Sequence, residues 1–251
     1  MAKCYRTILP VELHEQLHSK NATVVLPPKH AHHLSRVVRL TSGDEIIAID
    51  GNGGYCLCQI IANKKQVAIT AKEPRTVVSI RKSTVSVALA LGAMDKFQLA
   101  IAKLCEMGLQ SIIPFISEHS VSARGAEGLV SEHKLNHWNS IIESATLQSE
   151  QLFIPLIAKT ISYQELVTQK ELYNLLILDI RGSVTLTTTL NTKPDLKHTV
   201  LCIGPEGGFS PQEIDFALSH AIPIVSLGAS VLRFETAAIV ALGLFHAIKD
   251  S

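Results

Sequence analysis

The sequence predicts an α/β protein in which a small β-barrel domain precedes a larger domain with a mostly parallel sheet. Three features carry this prediction. Short strand patterns separated by tight turns fill residues 1–74, as in small barrels. Strand and helix patterns alternate after residue 74, which favours a parallel sheet covered by helices. Two glycine-bearing loops near the C-terminus each follow an apolar strand pattern, and ligands of such sheets bind at the carboxyl ends of strands.

The N-terminal domain is expected to be mainly β-structure. Its strands are predicted at residues 23–26, 44–50, 55–61 and 66–71. The segment Asp50-Gly51-Asn52-Gly53-Gly54 has the composition of a tight turn, because several of its residues tolerate positive φ. A helical pattern over residues 28–40 interrupts the strands. Pro74 lies in a charged stretch, so we predict the domains as residues 1–74 and 75–251.

The second domain is expected to alternate strands with helices. Strands are predicted at residues 84–91, 111–116, 175–179, 200–203 and 224–226, and helices at 95–107, 132–151 and 235–249. Asp95 is expected to cap its helix and Gly108 to end it. Ser210-Pro211-Gln212-Glu213 is a capping box with proline at the first helical position, so a further helix begins there. A loop is expected at 125–128.

The last helix, residues 235–249, is apolar on nearly every side. Such a helix is buried all round, either in the centre of the domain or in a dimer interface. The sequence leaves both alternatives open.

Composition favours a globular protein of the cytoplasm. Hydrophobic residues make up 47% of the 251 residues, and no run of about 18 apolar residues is long enough to span a bilayer. The N-terminus lacks the apolar stretch of a signal peptide. The 5 cysteines are scattered and odd in number, which is typical of reduced thiols.

No metal site is expected. The C-x-C spacing of Cys56 and Cys58 is not that of a paired zinc site. The side chains of His30, His32 and His33 could suggest a metal, but helix capping or proximity to RNA is the favoured interpretation.

Charge is distributed unevenly. Residues 1–82 carry a balance of +6 and residues 83–251 a balance of −5. A basic N-terminal third predicts contact with a polyanion such as nucleic acid, and the alternative is a basic surface without a partner. The best candidates for phosphate contact are Lys29, Arg36 and Arg39, of which the two arginines lie three residues apart in the predicted helix.

The two glycine-bearing loops are Gly204-Pro205-Glu206-Gly207-Gly208 and the segment from Leu227 to Arg233. A phosphate ligand is the first candidate for a glycine loop that precedes a helix. Neither phosphate-binding glycine motif is present, and Glu206 would repel an anion. A neutral or cationic ligand such as S-adenosylmethionine fits better, while a tight turn with Glu206 in solvent is the structural alternative.

Several segments resemble one known family in the order in which they occur. The most specific are Ile203-Gly204-Pro205-Glu206-Gly207-Gly208-Phe209-Ser210, Leu227-Gly228 and Leu232-Arg233-Phe234-Glu235-Thr236-Ala237. Others are the helix with Lys96, Lys103, Glu106 and Gly108, the segment Glu143 to Ser149, and His32 to Leu40 followed by Gly43-Asp44. Together these resemble the ribosomal RNA small subunit methyltransferase E family of the SPOUT, or α/β-knot, superfamily. Three positions depart from its pattern: His119 and Gln151 stand where arginine is usual, and Phe234 where threonine is usual.

The resemblance implies an N-terminal PUA-like barrel and a C-terminal domain with a deep trefoil knot. It also implies a homodimer formed through the knot domain, S-adenosyl-L-methionine as cofactor, and methylation of N3 of one uridine in small-subunit (16S) ribosomal RNA. The substrate is expected to be a structured, 30S-like particle. General topology rules would exclude a knot, and without the resemblance the prediction is an open, doubly wound sheet.

The resemblance also implies roles for single residues. The cofactor is expected to contact Leu178, Asp179, Gly204, Pro205, Glu206, Gly207, Gly208, Leu227, Gly228, Val231 and Leu232. Arg233 is the first candidate for the uracil or its developing charge, with a salt bridge to Glu235 or Glu206 as the alternative. Glu235 is a general base, an orienting partner of Arg233, or a residue that packs against a helix N-terminus. Gln148 pairs with the uracil edge or caps a neighbouring loop.

Other functions remain open. A ribose 2′-O-methyltransferase or a transfer RNA methyltransferase would have a similar fold and a different acceptor atom. A non-catalytic RNA-binding factor of ribosome assembly would keep the fold without the chemistry. A nucleotide hydrolase is disfavoured, because the sequence has neither a phosphate loop nor a candidate nucleophile.

Overall fold

The structure, a computed structural model, describes residues 4–62, 66–79, 84–120, 130–192 and 198–249. It divides into two compact units, Met1–Arg81 with Glu150–Ile154, and Lys82–Ser149 with Pro155–Ser251. The domain limits inferred from the sequence, 1–74 and 75–251, stay a prediction. The loop predicted at 125–128 lies outside the described residues.

The first unit is built on a six-stranded sheet with the order β1-β3-β4-β5-β2, and β6 pairs with β4. Its strands are β1 (Tyr5–Ile8), β2 (Thr23–Val25), β3 (Glu45–Ile49), β4 (Gly54–Ala62), β5 (Val67–Ala71) and β6 (Thr76–Val77). The four predicted strands are confirmed. The turn between β3 and β4 is held by Asp50, whose Oδ1 accepts the backbone N–H of Asn52 at 2.7 Å and of Gly54 at 2.8 Å.

Two short helical segments complete this unit: α1 (Val11–His14), which continues as the 3-10 turn Glu15–Leu17, and α2 (Pro28–His32), which continues as the π-helical turn His33–Val37. The helix predicted over residues 28–40 is therefore too long. Arg39 has φ 64° and lies beyond the helical turn, so Arg36 and Arg39 do not share one helix. Leu34 is buried in the core of this unit, which anchors the turn.

The segment Glu150–Ile154 belongs to the first unit through backbone contacts. Gly53 N–H donates to the Leu152 carbonyl at 3.1 Å, and Ile154 N–H donates to the Gly51 carbonyl at 2.9 Å. Glu150 stands at φ 61°, and its carboxylate lies 3.2 Å from the guanidinium of Arg6. Glu150 therefore has an ion-pair partner, Arg6, within the first unit.

The second unit is an α/β domain, as predicted. Its strands are β7 (Ser86–Ala90), β8 (Ser111–Ile116), β9 (Leu156–Ile157), β10 (Ile161–Ser162), β11 (Asn174–Leu178), β12 (Val184–Thr185), β13 (Thr199–Ile203) and β14 (Ile224–Ser226). They form one sheet with the order β10-β8-β7-β13-β11-β14-β12, to which β9 adds beside β8. The pairings between these strands are parallel. The central strands β7 and β13 are buried along their whole length, which explains their unbroken apolar runs. The trefoil knot stays a prediction.

The helices of this unit are α3 (Met94–Met107), α4 (Glu132–Gln148), α5 (Tyr163–Thr168), α6 (Leu186–Thr192), α7 (Pro211–Ser219) and α8 (Phe234–Lys249). Gly108 ends α3 at φ 83°, and the capping box at Ser210 starts α7; both predictions are confirmed. Helix α4 ends three residues earlier than predicted, because the left-handed Glu150 follows its cap. Asp95 does not cap α3; the N-cap is Ala93.

Helix α8 is less buried in the single chain than its composition predicts. One stripe of it lies in the core: Phe234, Ala238, Ala241, Leu242 and Phe245. The remaining apolar side chains, including Ile239, Val240 and Leu244, are half-buried. Helices α3 and α8 pack together, and the Phe97 ring stacks on the Phe234 ring with centroids 6.5 Å apart. No helix within the described ranges is long and apolar enough to cross a membrane.

Candidate active site

A cavity of about 380 Å³ lies at the carboxyl ends of three neighbouring strands of the second unit. Leu178 at the end of β11 pairs with Ile203 of β13 on one side and with Val225 of β14 on the other. The loops that follow these strands therefore leave the sheet side by side. The volume is in the range of small-molecule sites, and the position is the one expected for a ligand of an α/β sheet.

The structure brings almost the whole predicted cofactor set to this cavity. Its lining includes Leu178, Asp179, Gly204, Pro205, Glu206, Gly208, Leu227, Gly228, Val231, Leu232 and Arg233. Gly207 is not in the lining; a Cβ on this glycine would stand 3.1 Å from the Cβ of His119. Gly207 thus lies where the glycine loop meets the loop after β8.

Other lining residues were not in the predicted cofactor set: Lys96, Ile180, Ile203, Phe209, Ser230, Phe234 and Ala237. Phe209 directly follows the predicted cofactor residue Gly208, and Phe234 directly follows the predicted catalytic residue Arg233. Their positions in the sequence could therefore have indicated that they line the site. Lys96 is different, because it comes from α3 on a separate part of the chain. The contact of Phe97 with Phe234 brings it there, and only the packing of α3 on α8 reveals this.

The glycine loop requires glycine at two places. A Cβ on Gly204 would stand 2.8 Å from Cε2 of Phe209, whose ring is 4% exposed and packs against Phe115 and Tyr163. Gly208 has φ +71°, a conformation that side chains other than glycine adopt at a cost. The loop therefore presents backbone groups to the cavity.

Glu206 supports the beginning of α3. Its Oε1 accepts the backbone N–H of the N-cap residue Ala93 at 3.1 Å. A Cβ on Gly92 would lie 2.3 Å from Oε2 of the same carboxylate, so this glycine leaves room for it. The carboxylate that we expected in solvent or on a ligand thus caps a helix from a distant part of the chain, although the residue remains exposed.

Asp179 and Arg181 tie two of the lining loops together. Nε and one terminal nitrogen of Arg181 donate to the two carboxylate oxygens of Asp179 at 2.7 and 2.8 Å. The same guanidinium donates to the Phe209 carbonyl at 2.8 Å. Burial raises the pKa of Asp179, but the hydrogen bonds and charge of Arg181 outweigh burial and hold this pKa below its usual value. The loop after β11 and the glycine loop are therefore joined by a charge-assisted bridge.

The loop after β8 supports the glycine loop from the other side. The ring Nδ1–H of His119 donates to the Gly208 carbonyl at 3.0 Å. Glu213 is buried, and its Oε1 accepts the backbone N–H of Glu118 at 2.9 Å. His119, which stands where the family pattern has arginine, thus still bonds the glycine loop.

The three predicted catalytic residues are placed differently. Arg233 lines the cavity and is exposed, and it has no ion pair with Glu206 or Glu235. Glu235 lies outside the lining, and its Oε2 is buried without a hydrogen-bond partner among the described residues. Gln148 is an exposed residue at the end of α4 and is also outside the lining.

The predicted RNA contacts lie in the first unit. Lys29 is in α2, Arg36 is in the π-helical turn, and Arg39 follows that turn; all three side chains are exposed. Nearby, the Tyr5 hydroxyl and His33 Nε2 are 2.7 Å apart. Within the described residues, no group of three or more metal-binding side chains is present.

Comparison with known proteins gives a match for each part of the chain. A family described as an RNA methyltransferase domain matches residues 80–246. A family described as an RNA methyltransferase PUA domain matches residues 26–72.

Individual relatives match over nearly the whole chain. Ribosomal RNA small subunit methyltransferase E of Synechocystis sp. is 30% identical over 92% of this chain and 75% of that protein. The protein of the same name from Mesomycoplasma hyopneumoniae is 34% identical over 86% of this chain and 89% of its own. A solved methyltransferase of Legionella pneumophila with bound cofactor SAM is 27% identical, covers 98% of both chains and superposes with a TM-score of 0.84.

Proposed function

Because the chain belongs to the ribosomal RNA small subunit methyltransferase E family, we propose that it methylates N3 of one uridine in small-subunit (16S) ribosomal RNA. The chain is an S-adenosylmethionine-dependent RNA methyltransferase with an α/β methyltransferase domain and an N-terminal PUA domain. The acceptor atom and the residue roles are the proposed part. One observation carries the proposal: the glycine loop and the segment from Leu227 to Ala237, which bear the most specific family motifs, line a single cavity.

The cavity fits S-adenosylmethionine in size and chemistry. Leu178, Leu227 and Leu232 give it apolar walls for the adenine, while the glycine loop and Gly228 expose backbone groups. Oε2 of Glu206 accepts no hydrogen bond from the described residues and suits the cationic end of this ligand better than it suits a phosphate. We assign cofactor contact to the predicted set that lines the cavity, with Gly207 supporting the loop through its contact with His119.

The chemistry assigned to this chain centres on Arg233. When bound, S-adenosylmethionine supplies an electrophilic methyl group on a sulfonium. The acceptor N3–H of uracil is weakly acidic, and its loss leaves negative charge on O2 and O4. Arg233 is exposed at the cavity and has no ion pair with any residue that the structure describes, so its guanidinium is available to hold uracil and stabilise that charge.

Glu235 and Gln148 lie outside the lining of the cavity. Glu235 follows Arg233 by two residues, and the buried, unpaired Oε2 is a hydrogen-bond acceptor. We propose that it orients Arg233 or accepts the proton when RNA is bound. Gln148 is exposed at the end of α4, and we propose that it pairs with the uracil edge.

The first unit is assigned to RNA binding. Lys29, Arg36 and Arg39 are exposed, as cations that contact phosphates must be. The target base must be unstacked to enter a cavity, which costs a few kcal/mol. A structured 30S-like particle that already presents the base would lower this cost, and we propose such a particle as the substrate.

The assembly and location of the protein are also proposed. The half-buried apolar residues Ile239, Val240 and Leu244 on α8 favour a homodimer formed through the methyltransferase domain. We propose the trefoil knot and the cytoplasmic location on the ground of family membership.

Analysis of modified nucleosides tests the proposed function. Small-subunit RNA from a strain that lacks this gene should lose 3-methyluridine, and the wild-type gene should restore it. Arg233→Ala should fail to restore it while binding S-adenosylmethionine as the wild type does in calorimetry. Loss of a ribose-methylated nucleoside instead, or of a transfer RNA modification, would contradict N3 as the acceptor. No binding at millimolar S-adenosylmethionine would favour a non-catalytic assembly factor.

A further inference from the structure

Lys96 is a charged residue at the cavity that has no ion-pair partner in the described part of the chain. It lies in the first turn of α3, is half-buried and lines the same cavity as Arg233. No carboxylate among the described residues is within 4.0 Å of its ammonium group.

The position of Lys96 is not explained by helix stability. A cation in the first turn of a helix is opposed by the helix dipole. Lys103, in the same helix, shows the structural alternative, because its Nζ lies 2.9 Å from the Glu106 carboxylate. Lys96 has no such pair and is directed to the cavity instead.

Packing of α3 on α8 places Lys96 and Arg233 in the lining of one cavity. Each precedes one ring of the stacked pair Phe97 and Phe234, whose planes are 18° apart. The two cations are therefore supplied by the starts of two different helices, and both line the cavity.

The two acidic side chains of the cavity lining, Asp179 and Glu206, form no ion pair with Lys96 or Arg233. Asp179 is paired with Arg181 at 2.7 Å. Glu206 accepts the Ala93 N–H at 3.1 Å. Asp95, next to Lys96, is exposed and outside the lining. Lys96 and Arg233 thus have no ion-pair partner among the described residues of the cavity.

We propose that Lys96 is a second cation that stabilises the uracil anion during methyl transfer, an inference that rests on the proposed function. The N3–H bond breaks, the proton passes to the carboxylate of Glu235 or to water, and the electron pair stays on the imide, where it spreads to O2 and O4. With two carbonyl oxygens sharing the charge, two cations match it: Arg233 holds one oxygen and Lys96 the other. The N3 electron pair then forms the bond to the methyl carbon as the carbon–sulfur bond breaks, and the leaving group is the neutral thioether S-adenosylhomocysteine.

The test is the pH dependence of a single turnover on small-subunit particles from a strain lacking this gene, with saturating S-adenosylmethionine. The rate should rise with pH until N3 is deprotonated in the complex. Since a nearby opposite charge moves a pKa by about 1–3 units, Lys96→Gln should shift this rise to higher pH by at least about one unit. At neutral pH the rate should fall about tenfold or more, and at high pH it should approach the wild-type rate.

Three further variants make the result specific. Lys96→Arg keeps the charge and should restore most of the rate. Lys96→Met should behave as Lys96→Gln does, which covers the case in which one variant folds poorly. Lys103→Gln removes a paired lysine from the same helix and should leave the rate and its pH dependence unchanged. Calorimetry should give the same S-adenosylmethionine affinity for all of them.

The outcomes separate this inference from the proposed function. If the wild type forms no 3-methyluridine, the proposed function itself is wrong. If the product forms but the Lys96→Gln rate is unchanged, or is lowered equally at every pH, Lys96 does not stabilise the anion.

Discussion

Replacing Arg181 with glutamine tests the bridge between the two cofactor loops. The change removes three side-chain hydrogen bonds, two to Asp179 and one to the Phe209 carbonyl. The side chain of Asp179 is only 8% exposed, so its carboxylate loses a partner that water replaces poorly. Hydrogen bonds to charged groups contribute about 1.5–3 kcal/mol, and breaking a buried ion pair costs about 3–5 kcal/mol.

The exposure of Arg181 decides where in this range the effect falls. Its side chain is 42% exposed, so solvent already screens part of the interaction. We therefore expect Arg181→Gln to lower the free energy of unfolding by about 2 kcal/mol at neutral pH. The affinity for S-adenosylmethionine should fall by about tenfold, because the glycine loop loses a bond that fixes its position.

Urea unfolding and calorimetry with S-adenosylmethionine measure the two effects. Lys170→Gln is a matched control, because Lys170 also bonds a loop carbonyl, that of His220 at 3.0 Å, outside the cavity. It should change the free energy of unfolding by less than about 0.5 kcal/mol and leave the affinity unchanged. The variant Asp179→Asn and the double variant complete a cycle that isolates the coupling of the pair.

The contribution of the Asp179–Arg181 pair to the free energy of unfolding should depend on pH. The pKa of Asp179 in the folded protein is lowered, so the pair stabilises the fold above the unfolded-state pKa of about 3.8 and loses this contribution as the pH falls through the folded-state pKa. The difference between wild type and Arg181→Gln should therefore shrink in acid. Wild-type stability and wild-type cofactor affinity in Arg181→Gln would refute the bridge as a positioning device.

Three further predictions concern other parts of the chain. Gly204→Ala should lower the free energy of unfolding by about 1–3 kcal/mol, because its Cβ would meet the packed ring of Phe209 at 2.8 Å; urea unfolding measures this, and calorimetry should show weaker S-adenosylmethionine binding. Burial lowers the pKa of His14, against the opposing effect of a neighbouring carboxylate. The free energy of unfolding should therefore decrease as the pH falls below about 6.5. Urea titrations between pH 5 and 8 measure this decrease, and His14→Gln should make it smaller. The double variant Arg36→Ala with Arg39→Ala should reduce the slope of log binding constant against log salt concentration for RNA by roughly one or two. Filter binding at several salt concentrations measures this slope. Loss of S-adenosylmethionine affinity in the same variant would contradict the assignment of RNA binding to the first unit.

Local patterns predicted the elements that frame the cavity. The strands that end at Leu178, Ile203 and Ser226 were predicted from apolar runs, and the helix that begins after Ser210 from its capping box. These signals depend on residues close together in the chain, so the sequence displays them directly. The predictions failed where the boundary of an element, or the partner of a side chain, depends on a distant residue or on the φ angle of one residue. Glu150 at φ 61° ends α4 early, and no composition rule required that conformation of a glutamate.

The same distinction applies to the site. The sequence by itself determined the α/β class, the glycine loops and, through the order of its motifs, the family and its cofactor. Tertiary structure alone decided that Glu206 caps the start of α3 through Ala93, that Arg181 joins two loops through Asp179, and that Lys96 reaches the cavity. Each of these depends on two segments far apart in sequence that are brought together by packing. A motif specifies which side chains are present. The fold decides whether each charged side chain has a partner and which residue that partner is.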